Sequence, residues 1–204
     1  MNVQEATTRR LPDLKERHLP ENCRETINTI LKETYGYEQF RNLEIYDDLS
    51  KGKEKLCISQ GQLIENVILE AEKAWKGETQ VDNILLTAPT GSGKSLLFQL
   101  PAIYLGKEYN LLTIVVSPLK ALIVDQVESL QELGYTRVAY ASSDLSPEQK
   151  MEVYRQVREG EIDLFYLSPE LLLSYDIKHF VGERRIGLVA VSYTHLTLPT
   201  NREV

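Results

Sequence analysis

The segment Ile84-Leu-Leu-Thr-Ala-Pro-Thr-Gly-Ser-Gly-Lys-Ser95 leads from one apolar run into a second that begins at Leu96. An apolar strand, a glycine-containing turn and a helix in this order predict a phosphate-binding loop, because backbone N–H groups converge on an anion at the helix N-terminus. Lys94 is expected to reach the β- and γ-phosphates, and the Ser95 hydroxyl is expected to hold Mg²⁺. The sequence therefore predicts a site for a nucleoside triphosphate.

Beyond this loop the chain alternates between short apolar runs and amphipathic segments, as in successive βαβ units. The run Leu111-Leu-Thr-Ile-Val-Val116 is typical of a parallel strand that is covered on both faces. We predict strands at 83–87, 111–116, 137–140, 162–167 and 186–191, and helices at 94–105, 119–133, 146–159 and 169–173. The predicted fold class is α/β, with a mostly parallel sheet and helices on both faces.

The part of the chain before the loop has a different pattern. Residues 1–20 are polar and are expected to form a loosely ordered extension. Residues 21–80 form a helical segment, with amphipathic helices predicted at 21–35 and 62–75 that end at Gly36 and Gly77. We therefore divide the chain into this extension, the helical segment and the α/β domain at 81–191.

Composition and charge exclude several classes of protein. The 204 residues are 42% hydrophobic and 26% charged, as in an ordinary globular protein. No apolar run approaches the ~20 residues of a membrane span, and the polar N-terminus lacks a signal peptide's apolar region, so we expect a cytoplasmic protein without a membrane partner. Cys23 and Cys57 have the spacing of neither a disulfide framework nor a zinc site. The net charge of −7 argues against binding nucleic acid through bulk positive charge, but not against a local grip on phosphates.

Two further corners of the predicted sheet carry a Ser-Pro pair. Ser117-Pro follows the strand at 111–116, and Ser168-Pro-Glu170 follows the strand at 162–167. Ligands of doubly wound sheets bind at the carboxyl ends of the strands. Both pairs could present hydroxyl and N–H groups to a phosphodiester backbone, although each pair alone is more often a helix cap.

With these three corners in this order, the chain resembles superfamily 2 helicases, most closely the RecQ-like branch of the DEAD/DEAH-box enzymes. The resemblance covers about residues 35–191 and is carried by four stretches: Thr87–Ala102, Val116–Val127, Ala141-Ser-Ser-Asp144 and Phe165–Glu170. It implies the first RecA-like P-loop domain of an ATP-dependent motor that acts on single-stranded or forked DNA, with RNA as an alternative substrate.

The resemblance also implies roles for individual residues. The nucleotide and its Mg²⁺ would contact Thr90, Gly91, Ser92, Gly93, Lys94, Ser95 and Leu96, with Lys94 and Ser95 in the catalytic machinery. The nucleic-acid strand would contact Ser117, Lys120, Ser168 and Glu170.

The adenine-recognition motif departs from the family pattern. Relatives place an aromatic residue and Phe-Arg-Pro-Gly-Gln in one stretch, whereas here Glu44 follows Phe40-Arg41 at the glutamine position. Ser59-Gln-Gly-Gln62 supplies a later Gly-Gln pair. We predict that Gln62 reads adenine and that Tyr37 stacks on it; the alternative is that Gln62 only caps a helix.

The C-terminal residues also depart from the family. The resemblance implies Asp-Glu-x-His after the strand at 186–191, but Ser192-Tyr-Thr-His195 stands there, and we assign His195 no role. Residues 191–200 look like a translated sequencing adaptor, so 191–204 are expected to be a non-native tail; the alternative is a divergent C-terminus. We expect the natural protein to continue into the acidic motif and a second RecA-like domain, and the truncated chain to be nearly inactive.

Three functions remain open from the sequence. The first is an ATP-dependent helicase. The second is a translocase of a restriction or defence system that does not separate strands. The third is a non-catalytic nucleic-acid-binding scaffold with a degenerate ATPase domain.

Overall fold

The computed structural model describes residues 19–46, 55–86 and 91–192. The helices in these ranges are α1 (Glu25–Tyr35), α2 (Gln60–Trp75), α3 (Leu96–Tyr109), α4 (Lys120–Glu132), α5 (Pro147–Arg158), α6 (Pro169–Ser174) and α7 (Ile177–Val181). The strands are β1 (Asn42–Tyr46), β2 (Lys55–Ser59), β3 (Leu112–Val116), β4 (Val138–Ala141), β5 (Leu164–Leu167) and β6 (Ile186–Val191). None of these helices combines the length and the apolar character that a membrane crossing requires. Almost all of the predicted N-terminal extension and of the predicted tail lies outside the described residues.

A four-stranded sheet forms the centre of the domain. Its strand order is β4-β5-β3-β6, and every neighbouring pair is parallel. All residues of β3 and β5 are buried, which explains their almost uninterrupted apolar sequences. Four of the five predicted strands are thus confirmed, and the parallel arrangement agrees with the predicted α/β class.

Helices cover both faces of this sheet. Successive residues of a strand point to opposite faces, so Phe165 and Leu167 of β5 pack with Tyr154 and Phe180 of α5 and α7. Tyr166, between them in the sequence, packs on the other face with residues of α3 and α4. The helices predicted to cross between strands are confirmed. Helix α7 was not predicted from the sequence.

A second hydrophobic core joins the N-terminal helices to the phosphate-loop helix. It contains Ile27, Ile30 and Leu31 of α1, together with apolar residues of α2 and α3. Gly36 ends α1 with a φ of 69°, in the left-handed region, and its N–H donates to Lys32 O. The hairpin of β1 and β2 packs onto the same core and was not predicted.

The predicted strand at 83–87 is wrong for the residues that the structure describes. Residues 83–86 form no strand, and residue 87 lies outside the described ranges. A cavity of about 500 Å³ lies between residues 81–86 and β6. The segment pairs with no described strand, including β6 across the cavity, and an unpaired strand would leave its backbone groups without a ladder. An apolar, strand-like sequence was therefore not enough to predict a strand at these residues.

Candidate nucleotide and nucleic-acid site

The phosphate loop turns sharply just before α3. Gly91 and Gly93 have φ angles of 81° and 78°, in the left-handed region that favours glycine. The N–H of Leu96 donates to Gly93 O at 3.2 Å and closes the turn. The N-terminus of α3, where the helix dipole favours negative charge, therefore lies at this turn. The predicted contact Thr90 lies outside the described residues.

Gln60 connects α2 to the phosphate loop. This first residue of α2 is buried, and its Nε2 donates to Ser92 O at 3.1 Å and to Gly93 O at 3.3 Å. Its Oε1 accepts from the N–H of Arg41 at 3.1 Å. A Cβ on Gly93 would lie 2.6 Å from Gln60 Nε2, so a larger residue here would displace the Gln60 amide from the loop.

The hairpin of β1 and β2 lies in the sequence between Arg41 and Gln60. The N–H of Gln60 donates to Arg41 O at 2.9 Å, so the two ends of the hairpin meet at this pair. The resemblance implies one continuous stretch that carries Phe-Arg and the glutamine. In this chain the hairpin interrupts that stretch, and closing the hairpin brings its two parts together.

Gln62, which was predicted to read adenine, caps α2. Its Oε1 accepts from the N–H of Ser59 at 3.1 Å within a capping box. Its Nε2 donates to Pro20 O at 3.1 Å. Ser59 and Pro20 thus engage both ends of the Gln62 amide, as the helix-cap alternative predicts. The adenine-reading role of Gln62 stays a prediction. The Ser-x-x-Gln spacing was the sequence signal for this capping box.

A cavity of about 240 Å³ opens beside Gln60 and the phosphate loop. One wall is aromatic: the rings of Tyr35 and Tyr37 are stacked, with centroids 6.3 Å apart and planes inclined by 16°. Tyr37 is 48% exposed, so a ring face is accessible to a base. The lining residues are Leu31, Tyr35, Tyr37, Gln39, Arg41, Gln60, Gly93, Ser95, Leu96 and Gln99. The cavity thus joins an aromatic wall to the phosphate loop.

Ser95 offers the side-chain ligand expected for Mg²⁺ in a phosphate loop. Its hydroxyl lies at the start of α3 and accepts a hydrogen bond from Gln126 Nε2 at 2.7 Å. Mg²⁺ favours oxygen ligands and is commonly bound by carboxylates together with substrate phosphates. The described residues include no group of three or more His, Cys, Asp or Glu side chains that could hold a metal ion. Ser95 therefore supplies only one of the oxygen ligands that Mg²⁺ needs.

The carboxyl end of β6 marks the position where the resemblance implies an aspartate. Ser192 stands at this end, and its N–H donates to Val116 O of the neighbouring strand β3 at 2.9 Å. Lys94 and Ser192 line the same cavity of about 500 Å³. The structure therefore brings the end of β6 to the phosphate loop and places a hydroxyl there in place of a carboxylate.

The predicted nucleic-acid contacts lie along the same edge of the sheet. Val116 of β3 pairs in register with Leu167 of β5, so Ser117 and Ser168 follow neighbouring strand ends. Both serines are buried. The Ser168 hydroxyl caps α6 by accepting from the N–H of Leu171 at 3.3 Å. The Ser117 hydroxyl has no hydrogen-bond partner among the described residues.

Lys120 and Glu170 are more exposed than these serines. Lys120 Nζ donates to Asp144 at 2.8 Å and also contacts Ser143. This hydrogen bond lowers the pKa of the Asp144 carboxyl below its ordinary value. The structure thus brings Lys120 to the Ala141–Asp144 stretch, while Glu170 lies in the first turn of α6.

A parallel sheet with helices on both faces and a phosphate loop at its carboxyl edge defines an α/β nucleotide-binding domain of the RecA-like type. The family model described as DEAD/DEAH box helicase matches residues 62–194. The chain belongs to this family.

Curated relatives place the chain near the RecQ branch. It is similar to the ATP-dependent DNA helicase RecQ of Synechocystis sp., with 32% identity over 168 residues, covering 82% of this chain and 28% of that protein. The RecQ helicase of Bacillus subtilis is 30% identical over 167 residues, covering 82% of this chain and 23% of that protein. A crystal structure of the DUF1998 helicase MrfA bound to DNA aligns with a TM-score of 0.47 at 21% identity, covering 80% of this chain and 19% of that one. The chain therefore spans less than a third of the RecQ relatives.

Proposed function

We propose that this chain is the nucleotide-binding motor domain of an ATP-dependent DNA helicase. The observation that carries the proposal is the position of Gln60, whose amide bonds the phosphate-loop backbone on the wall of a cavity that also has an exposed tyrosine ring. An adenine base and a triphosphate need these two surfaces at opposite ends of one site.

The proposed roles of the remaining site residues follow from their places. Lys94 and the N–H groups of Gly91, Ser92 and Gly93 bind the phosphates, and Tyr37 stacks on the base. The Ser95 hydroxyl is the candidate ligand for Mg²⁺, which in such enzymes neutralises charge on the phosphates. A carboxylate to complete that site is expected in the natural sequence after Ala190.

DNA is the proposed second partner. The support is one edge of the sheet, where the buried Ser117 and Ser168 follow neighbouring strands and the exposed Lys120 begins α4. Helix N-termini and hydroxyl groups are common donors to a phosphodiester backbone. A second RecA-like domain of the same protein is the proposed partner for converting ATP turnover into movement along one strand.

The test compares the wild-type full-length gene product with its Lys94→Ala variant. We expect single-stranded DNA to stimulate ATP hydrolysis in the wild type. In Lys94→Ala, we expect turnover to fall about 100-fold or more, because the substitution removes the lysine charge that would contact the transferring phosphates. Lys107→Ala, an exposed lysine at the other end of α3, is the matched control and should retain full turnover.

Strand separation distinguishes the proposed helicase from the alternatives. A forked duplex with a fluorescent strand should be unwound in the presence of ATP. ATP turnover and movement without strand separation would support a translocase. DNA binding with no turnover in the wild type would support a non-catalytic scaffold and overturn the proposal.

A further inference from the structure

The hydroxyl of Ser95 is the last member of a series of hydrogen-bonded polar side chains. Gln126 Nε2 donates to Ser95 Oγ at 2.7 Å, and the other end of the same amide, Gln126 Oε1, accepts from the hydroxyl of Tyr166 at 3.1 Å. Gln126 belongs to α4 and Tyr166 to β5. The phosphate loop is therefore bonded by side chains to the two elements that lie next to the predicted nucleic-acid contacts.

The series of side-chain hydrogen bonds continues from Tyr166 to the aromatic wall of the nucleotide cavity. Gln99 Nε2 donates to the Tyr166 hydroxyl at 3.2 Å, and Gln99 Oε1 accepts from the hydroxyl of Tyr35 at 3.0 Å. A further contact of 3.3 Å joins Gln99 Nε2 to Gln126 Oε1. We refer to Tyr35, Gln99, Tyr166, Gln126 and Ser95 as the amide relay.

Every bond along the amide relay points in the same direction. Tyr35 donates to Gln99, Gln99 to Tyr166, Tyr166 to Gln126, and Gln126 to Ser95. Consecutive bonds of this kind polarise one another, and they are stronger away from water. Gln99 and Tyr166 are 5% and 1% exposed, so water does not compete with the middle of the relay.

The two ends of the relay lie at the two ends of the candidate nucleotide site. Tyr35 and Ser95 both line the cavity of about 240 Å³. In the middle, α4 begins at Lys120, shortly after Ser117, and β5 leads directly into Ser168. A shift of the Ser95 hydroxyl on nucleotide binding must therefore change the bond to Gln126 or move α4 with it.

We infer that Gln126 is a positioning residue that holds the Ser95 hydroxyl for the nucleotide and couples nucleotide binding to the sheet edge that is proposed to contact DNA. The inference rests on the proposed function. A network that served only to satisfy buried amides would affect stability alone. A relay that positions Ser95 also changes the affinity for nucleotide and its response to DNA.

The experiment uses the full-length protein and three substitutions. Gln126→Met removes the amide at similar size, and Tyr166→Phe removes one hydroxyl from the relay. Gln131→Met, at the exposed end of α4, is the matched control. A fluorescent ATP analogue is titrated with and without a single-stranded oligonucleotide, and the ratio of the two affinities measures the coupling between the sites.

We expect Gln126→Met to weaken binding of the analogue about fivefold to tenfold, as for loss of one partly buried hydrogen bond, and to bring the coupling ratio close to one. Tyr166→Phe should act in the same direction with a smaller effect. The double variant should bind no more weakly than Gln126→Met alone, because both substitutions break the same relay. Gln131→Met should behave like the wild type.

The outcomes separate this inference from the proposed function. A wild-type protein that binds no ATP analogue overturns both. A wild type that binds the analogue and responds to DNA, with Gln126→Met matching Gln131→Met, overturns the inference alone. If the losses of binding free energy in Gln126→Met and Tyr166→Phe add up in the double variant, the inference alone is also overturned. If Gln126→Met fails to fold by circular dichroism, Tyr166→Phe carries the test, and an unchanged coupling ratio in that variant overturns the inference.

Discussion

At the scale of single residues, Gln60 and Gln62 lie two positions apart at the start of α2 and have opposite surroundings. Gln60 bonds the phosphate loop, whereas Gln62 bonds the helix cap and Pro20. We predict that Gln60→Ala weakens ATP binding about tenfold. The reason is that the amide bonds the loop backbone beside the proposed adenine surface.

Gln62→Ala is the matched comparison for this prediction. It should leave nucleotide affinity unchanged and lower the free energy of unfolding by about 1 kcal/mol, as for loss of a helix cap. Titration with a fluorescent ATP analogue, combined with urea unfolding, measures both quantities. The account fails if Gln62→Ala, and not Gln60→Ala, is the variant that weakens ATP binding.

At the scale of secondary-structure elements, a group of ion pairs holds the start of α1 against α2. The guanidinium of Arg24 lies 2.6 Å from carboxylate oxygens of both Glu65 and Glu72. The hydroxyls of Tyr104 and Tyr109 on α3 donate to Glu72 at 3.2 Å and 2.9 Å. These bonds join three helices, and α1 and α2 contribute Leu31, Tyr35 and Gln60 to the wall of the nucleotide cavity.

The pKa of Glu72 gives this cluster a pH dependence. Burial alone would raise the pKa of the Glu72 carboxyl, but hydrogen bonds from Arg24 and Tyr109 outweigh burial and lower it from the ordinary value of 4.5. Because the folded-state pKa is the lower one, the unfolded chain takes up the proton first as the pH falls. The stability from Glu72 is therefore fully present above about pH 4.5 and is lost as the pH falls through the folded-state pKa.

We predict that Glu72→Gln lowers the free energy of unfolding by about 2 kcal/mol at pH 7, because charge-assisted hydrogen bonds to Arg24 are replaced by neutral ones. The difference from the wild type should shrink between pH 5 and pH 3. Urea unfolding at several pH values measures it. Glu128→Gln, on the exposed face of α4, is the control and should show no difference at any pH. A difference for Glu72→Gln that stays constant down to pH 3 contradicts this account.

The elements also show what the sequence could and could not predict. Helices such as α2 and strands such as β3 were predictable, because their apolar patterns match faces that are buried locally. The segment at 83–86 has a strand-like sequence but forms no strand, because a strand depends on a neighbour that local sequence does not specify. The contact of Gln60 with the phosphate loop was missed for a related reason: two glutamines near one helix start are equivalent until the cap geometry and the hairpin closure are known.

At the scale of the whole molecule, the β6 edge of the sheet is more exposed than the other strands. Within the described residues, β6 pairs only with β3, and Val189 and Val191 are 54% and 53% exposed. The adjoining Leu85 is 76% exposed. These side chains line the cavity of about 500 Å³ between β6, α2 and residues 81–86. Together they form an apolar surface next to a strand edge, an arrangement that favours association with other chains.

We predict that the 204-residue chain associates with itself at micromolar concentrations and binds a hydrophobic dye. Val189→Lys should shift the chain towards monomer and reduce dye fluorescence about twofold or more, because a charge on an open strand blocks edge-to-edge pairing. Light scattering after size-exclusion chromatography over a series of concentrations measures the association. Met151→Lys places the same charge on the exposed side of α5, away from β6, and should leave both properties unchanged. A chain that stays monomeric and binds no dye at every concentration would show that the β6 surface is covered in solution. Equal effects of the two lysine substitutions would attribute the association to net charge and not to this surface.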